Sequence, residues 1–256
     1  MSQQTIFMIH GMWGGGWAWD NYKPFFENKG YKCVAPTLRY HNVDPKDEPD
    51  PELGMTSLLD YASDLAKEIK KLDDKPIIMG HSMGGILAQI LGSRGLGKSL
   101  VLLTSAPPAG VFALKPSVIK SFWSVLTQWE FWNKAMKLPF EASVYSMLHL
   151  ISEKEKREAY KKFVYESGRA AFELGFWLLD ARKAAYVDEK KITCPMLMIS
   201  GEEDRITPAS VQRQTAKKYK HIATYKEFPH HAHWVIGEPG WKEIAEFILN
   251  WLEGQK

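Results

Sequence analysis

Three short stretches carry residue types suited to nucleophilic catalysis. The first is GHSMG, Gly80 to Gly84, which fits G-x-S-x-G and has an apolar run on either side. A serine hydroxyl is a weak nucleophile at neutral pH, so Ser82 needs a base, and the base needs an acid to hold its tautomer. The second stretch is GEEDRITP, Gly201 to Pro208, with carboxylates at Glu202, Glu203 and Asp204. The third is FPHHAHW, Phe228 to Trp234, which offers His230, His231 and His233. Glycines at 80 and 84 let a strand and a helix approach closely, while the turn between them lifts Ser82 clear in a strained conformation.

Within the acidic stretch Asp204 is the choice, because it stands just before RITP, where Thr207 is positioned to cap a helix beginning at Pro208. Glu203 is the fallback. The loop after the preceding apolar run, TSAPPAG, contains no acid, so the later loop must supply one. His231 and His233 have the spacing of a metal pair, but the pattern H-x-H-x-D-H fails because Val235 and Ile236 fill its last two places. No metal site is expected. His10, His41, His81, His149 and His221 receive no role as the base.

The elements that must position these groups follow from periodicity. Apolar runs at Thr5–Gly11, Lys32–Leu38, Pro76–Ser82, Ser99–Ser105, Cys194–Gly201 and Ala223–Pro229 read as strands. Segments of helical period lie between or after them: Asp20–Asn28, Thr56–Leu72, Gly84–Ser93, Pro208–Tyr219 and Gly240–Glu253. This alternation predicts an α/β architecture, a mostly parallel sheet with helices on both faces and its working edge at the carboxyl ends of the strands.

Residues 107–187 break the rhythm. They contain no convincing strand and hold fifteen of the 32 aromatic residues, so they read as a helical cap inserted into a core formed by 1–106 and 188–256. Ser152 and Glu155 have capping-box spacing, and Glu153/Arg157 and Glu158/Lys162 are spaced as i,i+4 pairs on a solvated helix face. Leaving and re-entering at strand ends, the insertion is expected to cover the working edge as a lid and to line an apolar pocket, with Trp129, Trp132 and Trp177, together with Trp13, as candidate substrate contacts.

Taken together, the whole chain resembles the alpha/beta-hydrolase superfamily, in which nucleophile, acid and histidine occur in this order. Similar enzymes carry G-x-x-D-x-[IV]-x-P before the acid helix and a histidine followed by an aromatic or apolar residue before the last helix, which maps onto Asp204 and onto His233 rather than His231. HGMWGGGWAW at the end of the first strand looks like the family's HG-x oxyanion loop. The resemblance implies a catalytic Ser82, Asp204 and His233, with the backbone amides of Met12 and Met83 as oxyanion donors; Trp13 is a substitute for Met12. His10 then shapes the loop. Trp17 and Trp19 pack the following helix. The chain enters at what would be the family's third strand, implying about six strands, as in the small methylesterase and hydroxynitrile lyase branch. The triglycine Gly14 to Gly16 loosens the loop relative to the family pattern.

Serine at 82 argues against dehalogenase and epoxide hydrolase chemistry, which needs a carboxylate there. Trp234 stands where a hydroxynitrile lyase carries lysine. Carboxylic ester hydrolysis through an acyl-enzyme is the expected reaction, without a cofactor; a lactonase would use the same groups on a cyclic ester, and peroxide in place of water would give perhydrolase side activity. A small-molecule receptor on the same fold is the reading from another class. Scattered charges, 33 basic against 30 acidic residues, make nucleic acid an unlikely partner. Without a basic leader or an 18-residue apolar run, the chain reads as a cytoplasmic protein with no membrane partner, its oligomeric state open. Cys33 and Cys194 are expected to be small core residues, since two cysteines make no disulfide framework.

Overall fold

The computed structural model describes residues 3–255. Six parallel strands form the main sheet: β1 (Thr5–Ile9), β2 (Lys32–Val34), β3 (Ile77–His81), β4 (Ser99–Leu103), β7 (Met196–Gly201) and β8 (Ala223–Phe228), in the spatial order β2-β1-β3-β4-β7-β8. The register runs Ile9 against Gly80, His81 against Leu103 and Gly201 against Phe228, so the ends of these strands align along one edge. Strands β3, β4 and β7 are buried on both faces, which is why they read as continuous apolar runs rather than alternating ones. The edge strand β8 alternates between more and less exposed positions instead.

Strand β2 is shorter than its apolar run predicted. It pairs only with Thr5–Phe7, and Pro36, which has no amide hydrogen to donate, follows within two residues. The chain moves from β1 outward to β2 and then returns to the other side of β1 for β3. The strand order thus reverses at β1, and in open α/β sheets ligands bind at the carboxyl edge beside such a topological switch point.

Helices α1 (Tyr22–Glu27), α2 (Leu58–Ile69), α3 (Met83–Ser93), α9 (Ala209–Lys218) and α10 (Trp241–Glu253) fall on the five segments of helical period. A capping box starts α2: Ser57 accepts from the amide of Leu59, and Asp60 accepts from the amide of Ser57. Ser57, like Glu173, which also accepts its hydroxyl, is buried. Thr207 does not cap α9. Its hydroxyl turns back to Asp204, and Pro208 occupies the N-cap position without a side-chain bond.

Residues 107–187 fold into α4 (Pro116–Ser121), α5 (Trp123–Leu126), α6 (Phe140–Ser143), α7 (Glu153–Lys161) and α8 (Gly168–Gly175), with a π-helical turn at Val144–Leu148. The segment also contains two strands that its sequence did not betray, β5 (Ala135–Met136) and β6 (Glu166–Ser167), paired antiparallel. Each has two residues, too few for an alternating pattern to be read. The predicted capping box at Ser152 and Glu155 is formed, but Glu153 and Glu158 pair with Lys156 and Lys161 one position earlier than expected, and Lys162 reaches Asp20 instead. Both cysteines are free; Cys33 is buried in β2, and half-buried Cys194 precedes β7 rather than lying in it.

Candidate active site

Ser82 sits on the turn from β3 to α3 with φ 54° and ψ −119°, a left-handed strain that a non-glycine residue adopts only when its surroundings impose it. The neighbouring glycines explain the constraint. A Cβ on Gly80 would lie 2.1 Å from the carbonyl oxygen of Gly84, and one on Gly84 would lie 2.1 Å from that of Ile9, so α3 packs directly over the end of β1. Larger residues cannot occupy either position without moving backbone.

His233, on the loop after β8, reaches this turn. Its Nε2 is 2.8 Å from Ser82 Oγ and its Nδ1 is 2.9 Å from Asp204 Oδ2, giving an unbroken hydrogen-bonded line through three loops. His233 and Asp204 are almost wholly buried. Burial alone would raise the pKa of Asp204, but the charge and hydrogen bond of His233, the Thr207 hydroxyl and the Thr207 amide outweigh it and hold the carboxyl below its ordinary value. The amides of Ile206 and Thr207 bond Asp204 Oδ1, and Thr207 Oγ1 donates to Oδ2 at 2.6 Å. Glu203 points elsewhere. It is substantially exposed and lies 3.8 Å from the exposed His230.

The main chain of His233 is held as firmly as its ring. His81 Nε2 at 2.8 Å and Thr104 Oγ1 at 3.1 Å both donate to the His233 carbonyl. Sequence reasoning missed His81, Thr104 and Thr207 as supports; the three-residue step from Asp204 to Thr207 was a legible signal for local bonding, whereas the other two contacts span more than a hundred residues. His231 turns away to Glu238, with Nδ1 2.9 Å from its carboxylate, so the H-x-H pair does not converge on one point.

His10 donates from Nδ1 to the Gly11 carbonyl at 2.8 Å and accepts the Leu38 amide at Nε2, pinning the loop after β1. Gly16 adds a bond to Thr37 Oγ1, so the triglycine stretch is anchored at its far end. Met12 and Met83 line the same cavity as Ser82. Neither backbone amide donates to a protein acceptor among the described residues, and that of Met83 opens α3, where helix amides lack intrahelical partners. Trp13, at φ 61°, is buried with its ring nitrogen on the Met136 carbonyl.

The cavity beside Ser82 has a volume of about 130 Å³, and its walls come from both the sheet edge and residues 107–187. Phe122, Phe131 and Phe176 supply its rings; Ser82 and Thr207 supply its side-chain hydroxyls; no charged side chain lines it. The four predicted tryptophans are not among its lining residues. Trp13 is turned toward Met136, Trp129 is 77% exposed against Trp132, and Trp177 packs on Phe112.

A family model described as the alpha/beta hydrolase family matches residues 6–247. The chain belongs to this family. Among curated relatives, Methylesterase 9 of Arabidopsis thaliana is 29% identical over 115 residues, 41% of this chain and 43% of that protein. Salicylic acid-binding protein 2 of Nicotiana tabacum is 33% identical over 31% of this chain and 30% of its own length, and polyneuridine aldehyde esterase of Rauvolfia serpentina is 30% identical over 33% and 31%. The matches thus span less than half of each relative. In structure, a pyrethroid hydrolase from Sphingobium faniae superposes with a TM-score of 0.74 at 19% identity, covering 98% of both chains, and polyneuridine aldehyde esterase superposes at 0.71 and 18%, covering 97% of this chain and 99% of that one. At such identities the superpositions establish the fold alone.

Proposed function

We propose that the protein is a serine hydrolase that cleaves carboxylic esters of small to medium, uncharged apolar substrates through an acyl-enzyme. The observation that carries this reading is the continuous line from Ser82 through His233 to Asp204 at the wall of an apolar cavity. The esterases among its relatives support the reaction class. A lining without charge offers nothing to pair with an ionic substrate.

In this mechanism His233 Nε2 takes the proton of Ser82 as Oγ attacks the ester carbonyl. Asp204 keeps Nδ1 protonated and stabilises the imidazolium. The amides of Met12 and Met83 receive the oxyanion, each donor lowering the barrier by about 3 kcal/mol. His233 returns its proton to the departing alkoxide, water enters, and the same histidine activates it to release the acid and restore Ser82. Residues 107–187 act as a cap over the working edge, supplying the phenylalanine rings that receive the apolar part of the substrate.

The test is a panel of nitrophenyl esters of increasing acyl length together with lactones, run with wild type and Ser82→Ala. Ester turnover that disappears in the variant is the expected result. Preference for long-chain lactones would move the reading to a lactonase on the same groups, and tight binding without turnover would move it to a receptor.

A further inference from the structure

Apolar side chains are unevenly spread over the surface. Of ten large hydrophobic residues that stand exposed among the described residues, eight belong to residues 107–187, although most of the chain lies elsewhere. Trp123, Trp129, Leu178 and Leu179 are 61%, 77%, 69% and 72% exposed. Single exposed apolar residues are ordinary, but their concentration in one segment is informative.

Several of these residues adjoin the cavity wall, by contact or along the chain, and are termed its rim. Leu114 and Ile119 are both exposed and part of the cavity wall, so they mark its mouth. Phe112 packs its ring 5.1 Å from that of Trp177, the residue preceding Leu178 and Leu179 on a surface turn. Ile119 and Trp123 share an outer groove with Tyr145, and Trp129 meets Trp132, which packs on the cavity-wall residue Phe131.

Basic residues outnumber acidic ones around the rim. Lys115, Lys120, Lys134, Arg182 and Lys183 lie within or beside it, and none of the five forms an ion pair with a carboxylate among the described residues. The neighbouring acids are Glu130, Glu141 and Asp180, and Asp180 is buried and occupied by the amides of Arg182 and Ala184. Joining two copies of this chain across the rim would bring together two sets of cations that have no carboxylate partners. An anionic surface complements both properties: indole and leucine side chains favour the boundary of the acyl region, while lysine and arginine extend to the phosphates.

We propose that this rim docks on the surface of an anionic phospholipid bilayer, with the cavity mouth facing the lipid. The contact is peripheral, since no described helix is long and apolar enough to cross a membrane. Docking depends on the rim alone and not on the hydrolytic reading, so Ser82→Ala protein is expected to bind as wild type does.

The experiment is co-sedimentation with sucrose-loaded vesicles of phosphatidylcholine, with and without added phosphatidylglycerol, across a salt series. Wild type and Ser82→Ala are expected to sediment with the anionic vesicles at low salt and to be released as salt rises. Leu178→Asp/Leu179→Asp and Lys120→Glu/Lys183→Glu should each weaken binding by about tenfold or more while leaving turnover of a soluble nitrophenyl acetate unchanged. None of these four side chains lines the cavity. Absence of wild-type sedimentation, or equal sedimentation with neutral vesicles, overturns the proposal without reference to any variant. A concentration-dependent dimer in analytical ultracentrifugation that the leucine variant abolishes would assign the rim to a second copy and overturn it equally.

Discussion

At the scale of single residues, the candidate site is a chain of hydrogen bonds in which each member fixes the next. On the proposed mechanism Ser82→Ala removes the attacking oxygen and should lower kcat by about a millionfold, with thermal unfolding unchanged because Oγ contributes only one partly exposed bond. Asp204→Asn leaves the shape but offers His233 Nδ1 a group that can also donate, favouring the wrong tautomer. A loss of about 10⁴ in kcat is expected, and the comparison to make is kcat against KM, since substrate binding should persist. The types and order of these three residues were readable in the sequence, and so was the preference for Asp204 over Glu203. The reason offered for Asp204, a helix cap at Thr207, was not the one the structure uses: Thr207 supports the carboxylate itself.

At the scale of elements, two contacts decide whether the site is assembled. The crossing of α3 over β1 depends on Gly84, where an added methyl would meet the Ile9 carbonyl at 2.1 Å. Gly84→Ala is expected to cost about 3 kcal/mol or more, visible as a lower urea midpoint and as reduced hydrolysis together. The second contact ties residues 107–187 to the core. Glu166 of β6, fully buried, accepts from the Tyr61 hydroxyl of α2 at 2.7 Å and lies 3.0 Å from His41 Nε2. Burial opposes charge on both partners, yet their mutual attraction and hydrogen bond prevail, raising the pKa of His41 and lowering that of Glu166. Glu166→Ala strands a buried histidine and tyrosine, and a loss of about 3–5 kcal/mol in urea unfolding near neutral pH is the expected outcome. No local pattern announced this pair, because His41 and Glu166 are 125 residues apart.

At the scale of the whole molecule, buried neutral histidines predict acid sensitivity. Burial, followed by the neighbouring His41 for His10 and His233 for His81, lowers both pKa values from 6.5 to about 3. Their hydrogen bonds agree, since each donates one ring proton to a carbonyl. Between those pH values the unfolded chain binds protons that the folded chain refuses, so stability falls as pH falls. Each histidine contributes about 1.4 kcal/mol per pH unit, roughly 3 kcal/mol per unit for the pair. His41 acts in the opposite sense and at higher pH: its contribution is complete below 6.5 and is lost as pH rises through its raised folded value. Urea titrations across the acidic range should therefore steepen below pH 6.5; a flat profile there would mean that the two rings are not neutral in the folded protein.

The sequence by itself determined the alternation of strands and helices and the strained serine turn. Each of these depends on interactions within a few residues, namely hydrophobic period, glycine at a crowded turn and turn chemistry after a strand. Tertiary structure alone decided which rings line the cavity, which buried carboxylates anchor residues 107–187, and where apolar side chains remain in contact with solvent. Those outcomes depend on the direction in which a side chain leaves its backbone and on partners far along the chain. Phe131 and Trp132 are adjacent in sequence, yet Phe131 faces the cavity and Trp132 does not line it. Aromatic composition singled out residues 107–187 but not which of their rings would line the cavity, because neighbouring side chains point to different sides of the same wall.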